Sequence, residues 1–214
     1  MVQKASIVMS NRGGYGFVLN GQEKIIYIGK GSDFESLGDT VLGWLRKVKS
    51  HPADEQRIIM EQIQNLQKVE GIGVVPDLLL DDILKIDSSI RPVSITREYD
   101  WHSVMRHIAY DPQDVLNIGH YIDGAWILSG LDCEYLYMID FDKGMFEVYY
   151  DSHMARNIPA SGRFNTQADG YEATTREEAT YVNMIASYAF KSLPESIANL
   201  QEDIYEPEFW QLFG

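Results

Sequence analysis

The chain has 214 residues, 45% hydrophobic and 23% charged, with a formal net charge of −14 at pH 7. That length builds one large domain or two small ones, and the composition is that of a folded globular chain, which excludes general disorder. The acidic balance argues against direct nucleic-acid binding, because phosphate would be repelled by most of the surface.

The predicted elements begin with a short strand over residues 5–10. Two further strands, 15–19 and 23–28, flank Asn20-Gly21, a pair suited to a two-residue turn that needs positive φ at both positions. From Leu37 the period changes, and Leu37, Val41, Trp44, Leu45 and Val48 line one face of a helix that Pro52 ends. A second helix is predicted over 54–69, with Ile59, Ile63 and Leu66 inward. Gly71-Ile72-Gly73 is a break. Short helices follow over 77–86, around 100–108, and from Asp111-Pro112 to Asn117, where aspartate precedes proline at the first helical position.

Residues 133–150 form the clearest local structure, Cys-Glu-Tyr-Leu-Tyr-Met-Ile-Asp-Phe-Asp-Lys-Gly-Met-Phe-Glu-Val-Tyr-Tyr. Aromatic and β-branched residues on either side of Asp142-Lys143-Gly144 predict a hairpin with Asp142 facing Met145, Ile139 facing Val148 and Tyr137 facing Tyr150. A one-residue slip would set Ile139 against Glu147 and is disfavoured. Residues 151–173 read as one long loop. Thr174 and Glu177 predict a capping box, with a helix beyond it carrying Tyr181, Met184, Ile185, Tyr188 and Ala189 on one face. Pro194 opens a last helical segment.

The expected fold class is therefore α+β, with an antiparallel sheet built from two hairpins and covered by helices. A single domain spans residues 1–214, with a helical insertion at about 54–120 and a helical tail at 194–214. No apolar run reaches the length of a membrane span, and the first residues lack a signal-peptide pattern. One cysteine cannot form an internal disulfide, so a cytoplasmic location is expected.

Charge is unevenly placed. Residues 1–70 hold nine Lys/Arg against eight Asp/Glu, a net of +1. Residues 77–151 hold five against fifteen, a net of −10, and residues 172–208 hold two against eight, a net of −6. Solubility accounts for this in the simplest way; a surface that meets a basic partner is the sharper reading.

Two segments carry a resemblance. Met9-Ser10-Asn11-Arg12-Gly13-Gly14-Tyr15-Gly16-Phe17 and the later Cys133–Asp142 with Phe146–Tyr149 resemble motifs of a family of small bacterial and phage proteins. That family opens Met-(Ser or Cys)-Thr-Arg-Gly-x-Tyr-Gly-Phe, and Leu37-Gly38 falls where it has a Leu-Gly helix start. The resemblance covers about a quarter of the chain. It implies a phage or mobile-element setting and no particular reaction. Ile28-Gly29-Lys30-Gly31-Ser32 departs from the family, which tends to have Asn, His and Asp there.

Candidate chemistry is sparse. Ser10, exposed by removal of Met9, would match an N-terminal nucleophile whose own amine acts as base. The eight residues ahead of Met9 would displace that amine, and the plain alternative is an ordinary strand or turn residue. Cys133 lies between Asp132 and Glu134, which disfavour its thiolate, so a buried strand cysteine is expected. Lys30 and Ser32, between a strand and a helix, could hold an anion at the helix N-terminus, although the upstream glycine of a phosphate loop is missing. Arg156, Asn157, Arg163 and Asn165 in the long loop could grip a phosphate or carboxylate, or simply solvate a surface loop. The histidines show no metal-ligand spacing, and neither metal nor cofactor is expected.

The acidic-aromatic tail, with Phe209, Trp210 and Phe213, either packs back or mediates docking or homo-oligomerisation. The expected function is an acidic accessory protein that binds a host protein, a basic nucleic-acid-handling or defence protein being the natural class. The alternatives are a hydrolase using Ser10, and a binder of a phosphorylated small molecule held between Lys30 and the Arg156/Arg163 loop.

Overall fold

The computed structural model describes residues 11–93, 96–129, 133–151, 161–164 and 182–200. Ser10, Arg156, Asn157, Asn165, the predicted strand at 5–10, the Thr174/Glu177 capping box and residues 201–214 lie outside them. Asn20 and Gly21 adopt φ of 54° and 71° and close the first hairpin as the two-residue turn that the sequence predicts. It joins β1 (Gly13–Leu19) to β2 (Gln22–Ile28), with Leu19 opposite Gln22.

The second hairpin pairs β5 (Tyr135–Asp140) with β6 (Met145–Asp151). Its register is offset by two residues from the prediction: Asp140 faces Met145, Ile139 faces Phe146 and Tyr137 faces Val148. An even offset keeps every side chain on its predicted face while lengthening the turn. Tertiary contacts explain the longer turn. Phe141 leaves the ladder to pack edge-on against Phe190 at 5.6 Å. The Asp142 carboxylate accepts from the Asn20 and Gly21 amides, each at 2.8 Å, and so ties one hairpin tip to the other. Asp140 accepts from the Lys143 amide at 2.8 Å, and Gly144 takes φ 66°.

The five-stranded sheet runs β2-β1-β5-β6-β7, where β7 is Val182–Ala189, with β1 and β5 parallel and the other neighbours antiparallel. With five α-helices among the described residues, the fold is α+β. The fifth strand, β7 (Val182–Ala189), corrects a predicted helix. A bulge explains the misreading. Met184 pairs with Tyr149 and Ala186 with Val148, leaving Ile185 as the extra residue. The bulge switches the facing side chains in mid-strand, so Val182 and Met184 meet one core cluster while Ile185, Ala186 and Tyr188 meet the other. That phase shift imitates helical spacing.

The helical layer begins with a π-helical turn, Phe34–Gly38, leading into α1 (Asp39–Ser50), on which Val41, Trp44, Leu45 and Val48 are buried as predicted. Next, α2 (Ala53–Asn65) stops four residues short of the predicted end. The Lys24 ammonium, reaching from β2, donates to the carbonyls of Ile63, Gln64 and Leu66 at 2.8–2.9 Å and terminates the helix. Residues Gln67–Val69 then form β3, paired in parallel with β4 (His120–Ile122). Between them, α3 (Asp77–Ile86), α4 (Trp101–Ile108, capped by Asp100) and α5 (Pro112–Ile118, capped by Asp111) match the predicted helices closely. Residues 194–197 are not helical, and helix beyond Pro194 first appears at Leu200; before it the Asp39 carboxylate accepts from Ser196 Oγ at 2.7 Å and the Ile197 amide at 2.8 Å, seating buried Ile197.

Both sheet faces are buried. Tyr15, Phe17, Tyr137, Ile139 and Phe146 face the helices in a cluster that also takes in Leu42, Ile63, Ile83, Val104 and Val115. On the opposite face, Val18, Ile25, Leu136, Met138 and Tyr149 lie under Ile127, Leu128 and Phe164. β1 tolerates this only because it is glycine-rich. A Cβ at Gly14 would stand 2.2 Å from the Ile26 carbonyl oxygen, and one at Gly13 would stand 1.9 Å from that of Tyr135. Gly14→Ala is accordingly expected to lose about 3 kcal/mol in urea unfolding. Gly43→Ala, in α1 with open space around the site, is expected to gain about 0.5–1 kcal/mol. Equal stabilities would contradict the packing described for β1.

Candidate functional site

Four charged groups meet on the sheet face opposite the helices. Val18 of β1 lies opposite Glu23 on one side and Asp140 on the other, so both acids share its face. Glu147 of β6 lies opposite Met138 on that same face. Arg163, in residues 161–164, reaches over them. Its Nε donates to Glu147 Oε2 at 2.8 Å, Nη1 to Glu23 Oε1 at 2.9 Å, and Nη2 to Glu147 Oε1 at 2.9 Å and to Asp140 Oδ2. The Tyr149 hydroxyl donates to Glu147 Oε2 at 2.8 Å and accepts from the Arg163 amide at 3.2 Å. Ser161 exchanges two hydrogen bonds with the backbone of Met184, extending the ties to β7.

Side-chain exposure is 13% for Arg163, 1% for Asp140 and 9% for Glu147. Burial alone would hinder ionisation of Asp140, but the Lys143 amide and the guanidinium outweigh it and hold its pKa below the ordinary carboxylate value. Burial likewise opposes the charge on Arg163, and the hydrogen bonds it donates to Glu147, Glu23 and Asp140 more than offset it, so its pKa is raised. Tyr149 is raised by burial and by neighbouring Glu147. The expected anion clamp therefore meets the protein's own carboxylates. With Nε, Nη1 and Nη2 all donating internally, Arg163 ties β2, β5 and β6 together.

The strand-to-helix loop is equally occupied. Ser32 is fully buried; its Oγ donates to Ile28 O at 3.3 Å, its amide to Asn11 O at 3.1 Å, and its carbonyl accepts from the Tyr137 hydroxyl at 2.8 Å. Asp33 caps the following turn by accepting from the Ser36 amide at 2.9 Å, so an internal carboxylate already fills the expected anion position. Lys30 is exposed. It follows Ile28, which lies in register with Gly13 and Tyr135, whereas Glu23 lies in register with Val18 and Asp140. Those rows are five residues apart, about 17 Å at the strand rise. The Lys30 loop and Arg163 thus sit at opposite ends of the sheet and do not converge on one ligand.

Cys133 is buried, its thiol pointing to the Tyr135 carbonyl at 3.7 Å. Burial, then Asp151 and Glu134, push its pKa up. His107 pairs with Asp87 at 2.8 Å, and His120 stacks on Trp101 at 4.9 Å. Among the described residues no group of three His, Cys, Asp or Glu side chains is placed to hold a metal ion, and no helix is long and apolar enough to cross a membrane. One open cleft of about 320 Å³ lies among Lys47, His51, Glu55, Ile58, Ile59 and Gln113.

Two features escaped the sequence reading. The first is the carboxylate set around Arg163. Asp140 and Glu147 stand in strands made largely of aromatic and aliphatic residues, and a buried acid there demands a cation. The second is an exposed apolar surface, with Ile72 86% exposed, Val74 56% and Leu78 92%. The helix 77–86 holds more apolar residues than one buried face can use, and only Ile83 is fully buried.

No protein-family model, curated protein or solved structure matches the chain.

Removing the cation from the buried cluster should reverse its pH response. In the native protein Asp140 ionises more readily folded than unfolded, so its contribution is present above about pH 4 and is lost as pH falls through its folded pKa. Arg163→Met removes the guanidinium that two buried carboxylates share. It is expected to lose about 3–5 kcal/mol at neutral pH and to regain stability as pH falls from about 7 to about 5. Urea unfolding at several pH values checks this, and a variant that follows the native pH profile would contradict it. Cys133 is expected to resist an aromatic disulfide reagent at about pH 8 in the folded chain and to react fully in denaturant; prompt reaction of the folded chain would contradict its burial.

Proposed function

We propose that the protein is a cytoplasmic accessory factor of phage or mobile-element type that acts by binding a host protein with a basic surface. The observation that carries this reading is the fate of the polar side chains. Arg163, Ser32 and Cys133, the described residues with most chemical promise, are taken up by internal contacts. Acids of the strongly negative stretch, among them Asp77, Asp81, Asp82 and Glu98, stay exposed. A surface of this sign attracts basic proteins and speeds their encounter. Basic nucleic-acid-handling proteins are the natural targets, and occupation of their nucleic-acid face is the mode that the charge favours. The phage setting rests on the motifs at residues 9–17 and 133–149, and the free cysteine suits a reducing compartment.

The test mixes the full chain with purified basic DNA- and RNA-binding proteins of the host and follows complex formation by calorimetry. The expected result is a stoichiometric complex that weakens as salt rises from about 0.05 M to about 0.5 M and that displaces nucleic acid from the partner. Absence of any complex across that range contradicts the proposal.

A further inference from the structure

Three of the large apolar side chains left in solvent fall within seven residues of chain: Ile72, Val74 and Leu78. Scattered exposed apolar groups are ordinary, but three so close in the chain single this stretch out as a candidate contact surface. It is not a core face turned the wrong way. The core-facing side of α3 is already seated through Ile83, with Leu79, Leu84 and Ile86 packed beside it. Leu78 belongs to the other side, where helical spacing aligns it with Asp81, Asp82 and Lys85, all exposed. Residues 70–87 hold five acids against one lysine, a net of −4. That lysine pairs with Asp82 at 2.7 Å, and Asp87 pairs with His107. Asp77 and Asp81 have no ion-pair partner among the described residues.

We infer that Ile72, Val74 and the exposed side of α3 dock a basic amphipathic helix of the partner protein; this rests on the binding function proposed above. Apolar side chains of that helix cover Ile72, Val74 and Leu78, while its Lys and Arg residues reach Asp77, Asp81 and Asp82. Charge selects this occupant over the others. A second copy would set −4 against −4, and residues 201–214 of the chain carry four acids and no Lys or Arg. An anionic membrane would be repelled in the same way. An exposed helix with an apolar anchor offers the ridges that a second helix packs against.

The probe is a fluorescently labelled 20-residue amphipathic peptide of leucine and lysine at helical spacing, titrated with the full chain and read by anisotropy. Binding that weakens with salt is expected. Ile72→Ser combined with Leu78→Ser should weaken it about ten-fold or more, with an unchanged circular dichroism spectrum. Asp77→Asn, Asp81→Asn and Asp82→Asn together should flatten the salt dependence. Asp54→Asn with Glu61→Gln, exposed acids on α2, should leave binding as it was. The inference is overturned if the chain does not bind the peptide, if the serine variant binds as the native chain does, or if a glutamine-for-lysine peptide binds equally. Self-association of the native chain through this face, seen by sedimentation, overturns it as well. A complex with a basic host protein that survives both sets of substitutions overturns this docking face while leaving the proposed function standing; failure of every host complex removes both.

Discussion

The close parallel pairing of β1 with β5 is the constraint on which the rest of the structure depends. The pairing puts Gly13 beside Tyr135 and Gly16 beside Met138, joining two hairpins that are far apart in the chain into one sheet. Parallel neighbours need a long crossover, and here the chain between them supplies β2 and the whole helical layer. That layer folds back over the sheet, so Ile63, Ile83 and Val104 share one buried cluster with Tyr15 and Tyr137. Larger side chains in β1 would force the neighbouring backbones apart, because the space beside Gly13 and Gly14 is already filled by carbonyl oxygens of β5 and β2.

Charged and polar side chains then secure what the core positions. Lys24 ends α2, Asp142 joins the two hairpin tips, Asp39 seats the segment around Ile197, and Arg163 gathers acids from β2, β5 and β6. Each tie links residues distant in sequence, and in each the charged group meets more than one partner. Where the charges are buried, as in the Arg163–Asp140–Glu147 group, leaving one unpaired is costly, so that tie discriminates against arrangements that would leave its charge without partners. The consequence for function is that side chains suited to ligand chemistry are held by the fold itself.

Local patterns made much of this legible. Asn20-Gly21, the helix cap at Asp111, the apolar stripe from Leu37 to Val48 and the parity of the second hairpin all follow from short-range chemistry. What was hidden depended on distant residues. The end of α2 is set by a lysine some forty positions earlier, and the hairpin offset by contacts to Asn20, Gly21 and Phe190. The helical reading of 182–189 failed because one bulge displaced a two-residue period. At the candidate site, Arg163 was legible as an anion-binding side chain, but its anions are Glu23, Asp140 and Glu147, and only the sheet brings those together. Ser10 and Arg156 lie outside the described residues.

Within the fold so described, the cross-tied sheet contrasts with α3, an acidic and partly apolar helix that makes few demands on the core. Ile83 alone on α3 is fully buried, whereas every residue of β5 is. Amide hydrogen exchange over the full chain measures that contrast directly. Slowest exchange is expected in β1, β5 and β6, with α3 opening well before the sheet. Protection of α3 equal to that of β5, or early exchange in β1, would contradict this expectation.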